Sequence, residues 1–222
     1  MRMAGMTAAC LRDSGKSRLV AGIAHVVDKS PGAVEGGWPQ IVLVPAHRVA
    51  GREAHGAVDA FDRRVGGVLR RAIERRDFRG GRDELLHLTS ATPGVERLLL
   101  VGFGKATERA SALRRAAALA GRQAGKLGVS KLAFHAGALT ESEAEAVAGG
   151  LIAGAWDFKE MKTPPPAEEQ RDTLGEATVL ATDVAAVERG VATGRAIGEG
   201  HSLARRLGML PGNVCTPDYL AD

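Results

Sequence analysis

The sequence predicts an α/β domain with a largely parallel or mixed sheet and helices on both faces. Three observations carry this. Short, uniformly apolar runs such as "QIVLVPA" (Gln40–Ala46) and "RLLLVGFG" (Arg97–Gly104) suit strands that are covered on both sides. Longer segments between such runs place apolar residues at helical spacing. The two kinds alternate, punctuated by Gly, Pro and Asp, with no internal repeat.

The elements follow in order. "SRLVAGIAHVV" (Ser17–Val27) reads as a strand and "DKSPGAVEGGWP" as a loop before the stronger strand at Gln40–Ala46. Val58, Phe61, Val65, Val68 and Ala72 then recur at helical spacing, widened by Leu69 and Ile73, and this helix ends at "DFRGGRD". "ELLHLTS" and "RLLLVGFG" are two strands separated by "ATPG". Ala110, Leu113, Ala117, Ala120, Ala124 and Leu127 define one face of the next helix, stopped by Gly128. After the buried strand "KLAFHAG", Thr140-Glu141-Ser142-Glu143 is a capping box that opens a helix containing Val147, Leu151 and Ile152. "DFKEMKTPPPAEEQ" is a surface excursion and "EATVLATD" a last strand. Val187, Val191, Gly194 and Gly198 begin a long helix whose small residues allow close packing, running through Leu203 and Leu207 to Gly208. A Pro-Gly-Asn turn follows, then Thr216-Pro217-Asp218, a capping Thr with Pro at the first helical position.

Composition narrows the class. At 222 residues the chain suits one domain, or one domain plus the start of another. Aromatics are 4%, so the core must rest on Ala, Val and Leu. A net charge of +4 permits nucleic-acid contact without arguing for it. The two cysteines, Cys10 and Cys215, have neither zinc spacing nor a disulfide framework. No run long and apolar enough to span a membrane occurs, and "MRMAGMTAACLRDSGKS" lacks a signal-peptide core, so the protein is expected to be cytoplasmic.

The chemistry-bearing motifs fail individually. "GFGK" (Gly102–Lys105) sits where a dinucleotide loop belongs, but Thr107 stands in place of the third Gly; a phosphate loop would need Gly at 99 and Ser or Thr at 106, where Leu99 and Ala106 stand. A packing turn is preferred over an anion site. "DSGKS" (Asp13–Ser17) has Cys10 where a Walker motif needs Gly. The six histidines (His25, His47, His55, His87, His135, His201) form no metal-spaced pair, and His87 and His135 read as core or rim residues of strands. The Arg-rich helix (Arg63, Arg64, Arg70, Arg71, Arg75, Arg76) also carries Asp59, Asp62 and Glu74 and no interleaved aromatics, so it reads as a solvated face and nucleic acid is not an expected partner. No catalytic, cofactor-binding or metal-binding residue is nominated.

Several stretches in series resemble the leucyl aminopeptidase (cytosol aminopeptidase) family. "DAFDRRVGGVLRRAIERRDFRGGRDELLHL" and "VERLLLVGFGKATERASALRRAAALAGRQAGKLGVSKLAF" are similar to its helix, strand-turn "LLVGLGK", Ala-rich helix and next strand. "GLIAGAWDFKEMKT" resembles its G-x-Y-x-F-x-x-Y-K segment, with Trp156 and Met161 where tyrosines are usual. "ARRLGMLPGNVCTPDYLAD" matches the pattern A-R-x-L-x-N-x-P-x-N-x-x-T-P-x-x-L-A at Ala204, Arg205, Leu207, Pro211, Asn213, Thr216, Pro217, Leu220 and Ala221, with Met209 where Asn is preferred. The resemblance covers residue 57 to the end, and more weakly what precedes it.

This resemblance implies a three-layer, macro-domain-like mixed sheet at 1–182 (1–16 disordered), a connecting helix at 183–208, and the first residues of a catalytic domain at 209–222. The family is a two-metal exopeptidase that uses zinc or manganese to release N-terminal amino acids, Leu preferred, and assembles as a hexamer. Its metal ligands, including an N-T-D-A-E-G-R segment, match nothing in these residues, and the end of the chain offers only Asp218 and Asp222. The expected role is therefore structural, without cofactor or metal in this chain and with peptide substrates reached only through a catalytic domain. The alternative is a macro-like binding module for ADP-ribose or nucleic acid. The long helix would also expose its apolar face (Val187, Val191, Leu203, Leu207) if it lacked a partner surface.

Overall fold

The structure, a computed structural model, describes residues 62–63, 65–92, 95–105, 108–181 and 183–221, together with the backbone of the strands at 23–28 and 41–46. Six strands form one sheet: β1 (Ile23–Asp28), β2 (Ile41–Ala46), β3 (Leu85–Thr92), β4 (Val95–Gly102), β5 (Lys131–His135) and β6 (Glu176–Ala181). Their order is β1-β6-β5-β2-β4-β3, with every neighbouring pair parallel except β3 and β4. The helices are α1 (Val68–Glu74), α2 (Arg109–Leu127), α3 (Glu141–Ala155), α4 (Val184–Met209) and α5 (Pro217–Ala221), with a 3-10 turn at Ala167–Glu169.

The uniformly apolar strands are explained by two separate cores. On one face Leu99, Val101, Leu132, Phe134, Ala177 and Val179 pack against α2, α3 and α4. On the other, Leu98, Leu100, Ala133 and Leu180 meet Leu69 of α1 with Val65 and Phe78. Alternate residues of one strand thus enter different cores, which is why the middle of β4, Leu98 to Val101, is apolar throughout. This is the three-layer arrangement with helices on both faces that the sequence predicts. Among the described residues three helices cover one face and α1 the other.

The helix layer is held by close approach. A Cβ on Gly154 would lie 2.0 Å from the Ala118 carbonyl oxygen, and one on Gly150 2.4 Å from that of Arg114, so α2 and α3 touch backbone to backbone. α4 repeats this on α3, where a Cβ on Gly190 would fall 2.1 Å from Glu141 O and one on Gly194 2.3 Å from Glu145 O. The buried alanines of α2 (Ala112, Ala116, Ala117, Ala120, Ala124) fill what space remains. With few aromatics, contact area comes from proximity rather than from large side chains.

Helix boundaries follow local chemistry. Thr140 Oγ1 accepts from Glu143 N at 3.3 Å while Thr140 N donates to Glu143 Oε2 at 2.9 Å, completing the predicted capping box. Gly128, at φ 66°, ends α2. Asp183 Oδ1 accepts from Ala186 N and caps α4. In α5 the Tyr219 N–H donates to Thr216 Oγ1 at 3.3 Å, as the Thr-Pro pair suggests.

Two expectations need correction. The helix expected from Val58 through Ala72 is interrupted: Val65 lies in a turn and Gly66 and Gly67 both adopt φ 75°, so α1 starts only at Val68. Apolar periodicity is blind to this break because glycine carries no side chain to fall out of phase. Val58 and Phe61 lie outside the described residues. Asp62, 4% exposed, then caps α1 from a distance, its Oδ1 accepting from Leu69 N at 2.8 Å and Arg70 N at 3.3 Å. The second correction concerns α4. Val187 and Val191 are covered by the first core, not exposed; Leu203 is exposed and Leu207 half-buried.

Candidate functional site

The C-terminal ends of parallel strands are where open α/β sheets present loops for chemistry. At the end of β4, Gly102 and Gly104 are shaped by protein rather than by an anion. A Cβ at Gly102 would stand 1.9 Å from Gly81 O, and Gly104, at φ 64°, packs on Arg82. Gly102 N donates to Glu84 O at 2.8 Å and Gly104 N to Gly80 O at 2.9 Å. Glu84 holds the facing loop in turn, its carboxylate accepting from Arg79 N and, at 2.6 Å, from Gly81 N. Both glycine N–H groups that an anion would have used are committed. The turn packs.

Beside it, Arg109 at the start of α2 clamps the loop after β5. Its Nη1 donates to Glu143 Oε2 at 2.7 Å and its Nη2 to the carbonyls of Ala136 and Ala138 at 2.8 and 3.0 Å. Burial by itself would raise the Glu143 pKa, but the Thr140 N–H and then the Arg109 hydrogen bond and charge hold the carboxyl below its ordinary value. A depressed folded-state value means a contribution present above the unfolded pKa of about 4.3 and lost as pH falls through the folded one. Glu143→Gln is expected to cost about 1–2 kcal/mol at neutral pH and to flatten the fall in stability below about pH 4. Urea titrations across pH decide this; curves that stay parallel to wild type would remove Glu143 as the acid-sensitive group.

His87 Nε2 and His135 Nδ1 are buried without a hydrogen-bond partner among the described residues. Burial lowers both pKa values, and the nearby Arg97 charge adds to the effect at His87. Each imidazole is half-buried on its strand, as the core-or-rim reading expects. His201 is exposed on α4; the side chain of His25, and His47, His55, Cys10 and Asp13–Ser17, lie outside the described residues. Arg70, Arg71, Arg75 and Arg76 are exposed, as are Glu74 and Asp77. Cys215 is a free thiol. Among the described residues no group of three or more His, Cys, Asp or Glu is placed to hold a metal, and no helix is long and apolar enough to cross a membrane.

Sequence reasoning missed the contact between its own two motif segments. "GAWDFKE", leaving α3, folds against "ARR" on α4. The Arg205 guanidinium lies 3.9 Å from the centre of the Trp156 ring, and its Nη1 donates to Ala153 O at 3.0 Å. Arg206 grips Glu160 with two parallel hydrogen bonds, at 2.5 and 3.0 Å. Trp156 in turn stacks on buried Phe158.

Residues 42–165 match the family described as "Cytosol aminopeptidase family, N-terminal domain". The chain belongs to the cytosol aminopeptidase family. Relatives of the cytosol aminopeptidase family support the match along a longer stretch. A probable cytosol aminopeptidase of Bordetella petrii is 35% identical over 176 residues, covering 75% of this chain and 35% of its own length. One from Geobacter sp. (strain M21) is 38% identical over 174 residues, 72% of this chain and 33% of that protein. The chain thus spans about a third of the length of the curated relatives it matches. Among solved structures, a tomato leucine aminopeptidase mutant superposes with a TM-score of 0.73 at 21% identity, over 95% of this chain and 43% of its own, which establishes the shared fold. The bottromycin maturation enzyme BotP in complex with Mn gives 0.58 at 27% identity, over 83% of this chain and 35% of that one.

Proposed function

We propose that this chain is the non-catalytic N-terminal domain of a leucyl-aminopeptidase-like metallo-exopeptidase, structural by itself and serving the assembly of a homo-oligomer, a hexamer in the family. The observation that carries the reading is the family match at 42–165, joined to relatives of which this chain spans about a third. The whole enzyme would release N-terminal residues, Leu preferred, from peptides in the cytoplasm, using two divalent cations. The donors found here do not fit that pair. A bridging pair needs several carboxylates converging from rigid elements, whereas the described residues offer no cluster of three potential ligands, and Asp218 is exposed on the short α5.

What the described geometry does favour is rigidity. Backbone-close helices, committed turn amides and a clamped β5–α3 loop make a firm layer. The purified 222-residue chain, given manganese, is expected to leave a leucine anilide substrate intact. Metal-dependent turnover that copurifies with the chain would overturn the proposal.

A further inference from the structure

α4 outruns the layer on which it packs. Its contact with α3 passes through Gly190, Gly194 and Gly198 to the buried Ser202, while α3 ends at Ala155. Beyond Ser202, Leu203, Ala204, Arg205, Gly208 and Met209 are exposed. A projecting helix end with few buried contacts normally frays or swings. The chain that leaves α3 meets this end, and Leu210 just beyond it is buried.

We propose that the segment from Trp156 to Lys162 is a strap that fixes the direction in which the last two turns of α4 leave the domain, with Arg206 as the positioning residue. The strap is anchored at its start, because Phe158 is buried and stacks with Trp156 at a centroid distance of 6.4 Å. It grips α4 at two successive residues by different means. Arg205 lies over the Trp156 ring and satisfies Ala153 O, a carbonyl in the last turn of α3 that has no helical partner to rely on. Arg206 donates from Nε and Nη2 to the two carboxylate oxygens of Glu160. A turn closes the strap, Lys162 N donating to Lys159 O at 3.1 Å, and the Lys162 ammonium stands 3.7 Å from Asp157.

Arg206 thus joins the strap to α4 through both carboxylate oxygens of Glu160. A planar fork with donors on several edges can do this where a lysine, a single flexible point charge, cannot. The Arg206 hydrogen bond also holds the Glu160 carboxyl below its ordinary pKa. Cation–π contact and bidentate pair together resist rotation as well as bending of the helix end. Neither contact is deep enough to be needed for the sheet and its two cores to form.

Electron–electron spin distances on the full chain test this. Cys10→Ser leaves Cys215, in the turn between α4 and α5, as one label site, and Arg122→Cys on the exposed face of α2 supplies the other. The wild-type background should give one narrow distance distribution. Glu160→Gln and Arg206→Gln should each widen it about twofold, Arg206→Lys should restore little, and Glu168→Gln should leave it narrow. Glu160→Gln is isosteric at an exposed position, and circular dichroism of each variant should keep the wild-type helix content. A distribution already broad in the wild-type background, or as narrow in Glu160→Gln and Arg206→Gln as without them, would overturn the proposal.

Discussion

Replacing Gly154 by alanine will destabilise the domain by about 3 kcal/mol, which for a domain of this size lowers the melting temperature by about 6–12 °C. The added methyl would stand 2.0 Å from Ala118 O and 2.6 Å from Ala118 C. Both atoms belong to backbone and cannot swing aside, so α2 and α3 must part, and α3 in turn carries α4 through Gly190 and Gly194. Interiors this closely packed transmit such a shift rather than absorb it. The control lies one helix away. Gly125 is also helical, but a Cβ there meets no heavy atom within 4 Å. Gly125→Ala should therefore stabilise by about 0.5–1 kcal/mol, the ordinary helix gain over glycine. Thermal unfolding of the two variants should shift in opposite directions; shifts of the same sign would mean that the helices are not packed as described.

Phe134→Ala should be as damaging, at about 3–5 kcal/mol. Phe134 is fully buried in the middle of the sheet, with Leu43 of β2 and Val179 of β6 as its neighbours in register. The helices above it present mostly alanine, whose side chains are too short to fall into the space left behind. The cavity would stay open, which places the cost toward the upper end of the range for such truncations. Chemical denaturation measures it directly. A loss below about 1 kcal/mol would show that α2 and α3 can settle onto the sheet, contrary to the backbone contacts that fix their spacing.

The two substitutions probe features of unequal legibility. The burial of Phe134 could be expected from an apolar strand read with both faces covered, and small residues on the long helix already suggested close packing. That Gly154 meets Ala118 could not be read, because the partner is chosen by how two crossovers stack their helices. Asp62 illustrates the opposite failure. Its sequence neighbours place it among the charges of a solvated helix, yet the glycine break turns it inward to cap α1 from seven residues away. The double glycine was the available signal, since consecutive glycines inside an apolar stripe argue for a turn before they argue for a helix.

What the sequence by itself determined is the part of the structure set within a few residues: the strand and helix periods apart from the Gly66–Gly67 break, the Thr140–Glu143 capping box, the stop at Gly128 and the Thr216-Pro217 helix start. Each depends on residues only a few positions apart, through a side-chain cap, a left-handed glycine or a proline ring, so spacing is enough. Only the tertiary structure decided the strand order and the division of the described helices between the two faces. It also decided the pairings of Arg109 with Glu143 across 34 residues and of Arg206 with Glu160 across 46. Those contacts have no period. They form because parallel crossovers bring helix ends together, and a charge cannot signal from its position in the chain which opposite charge the fold will set beside it.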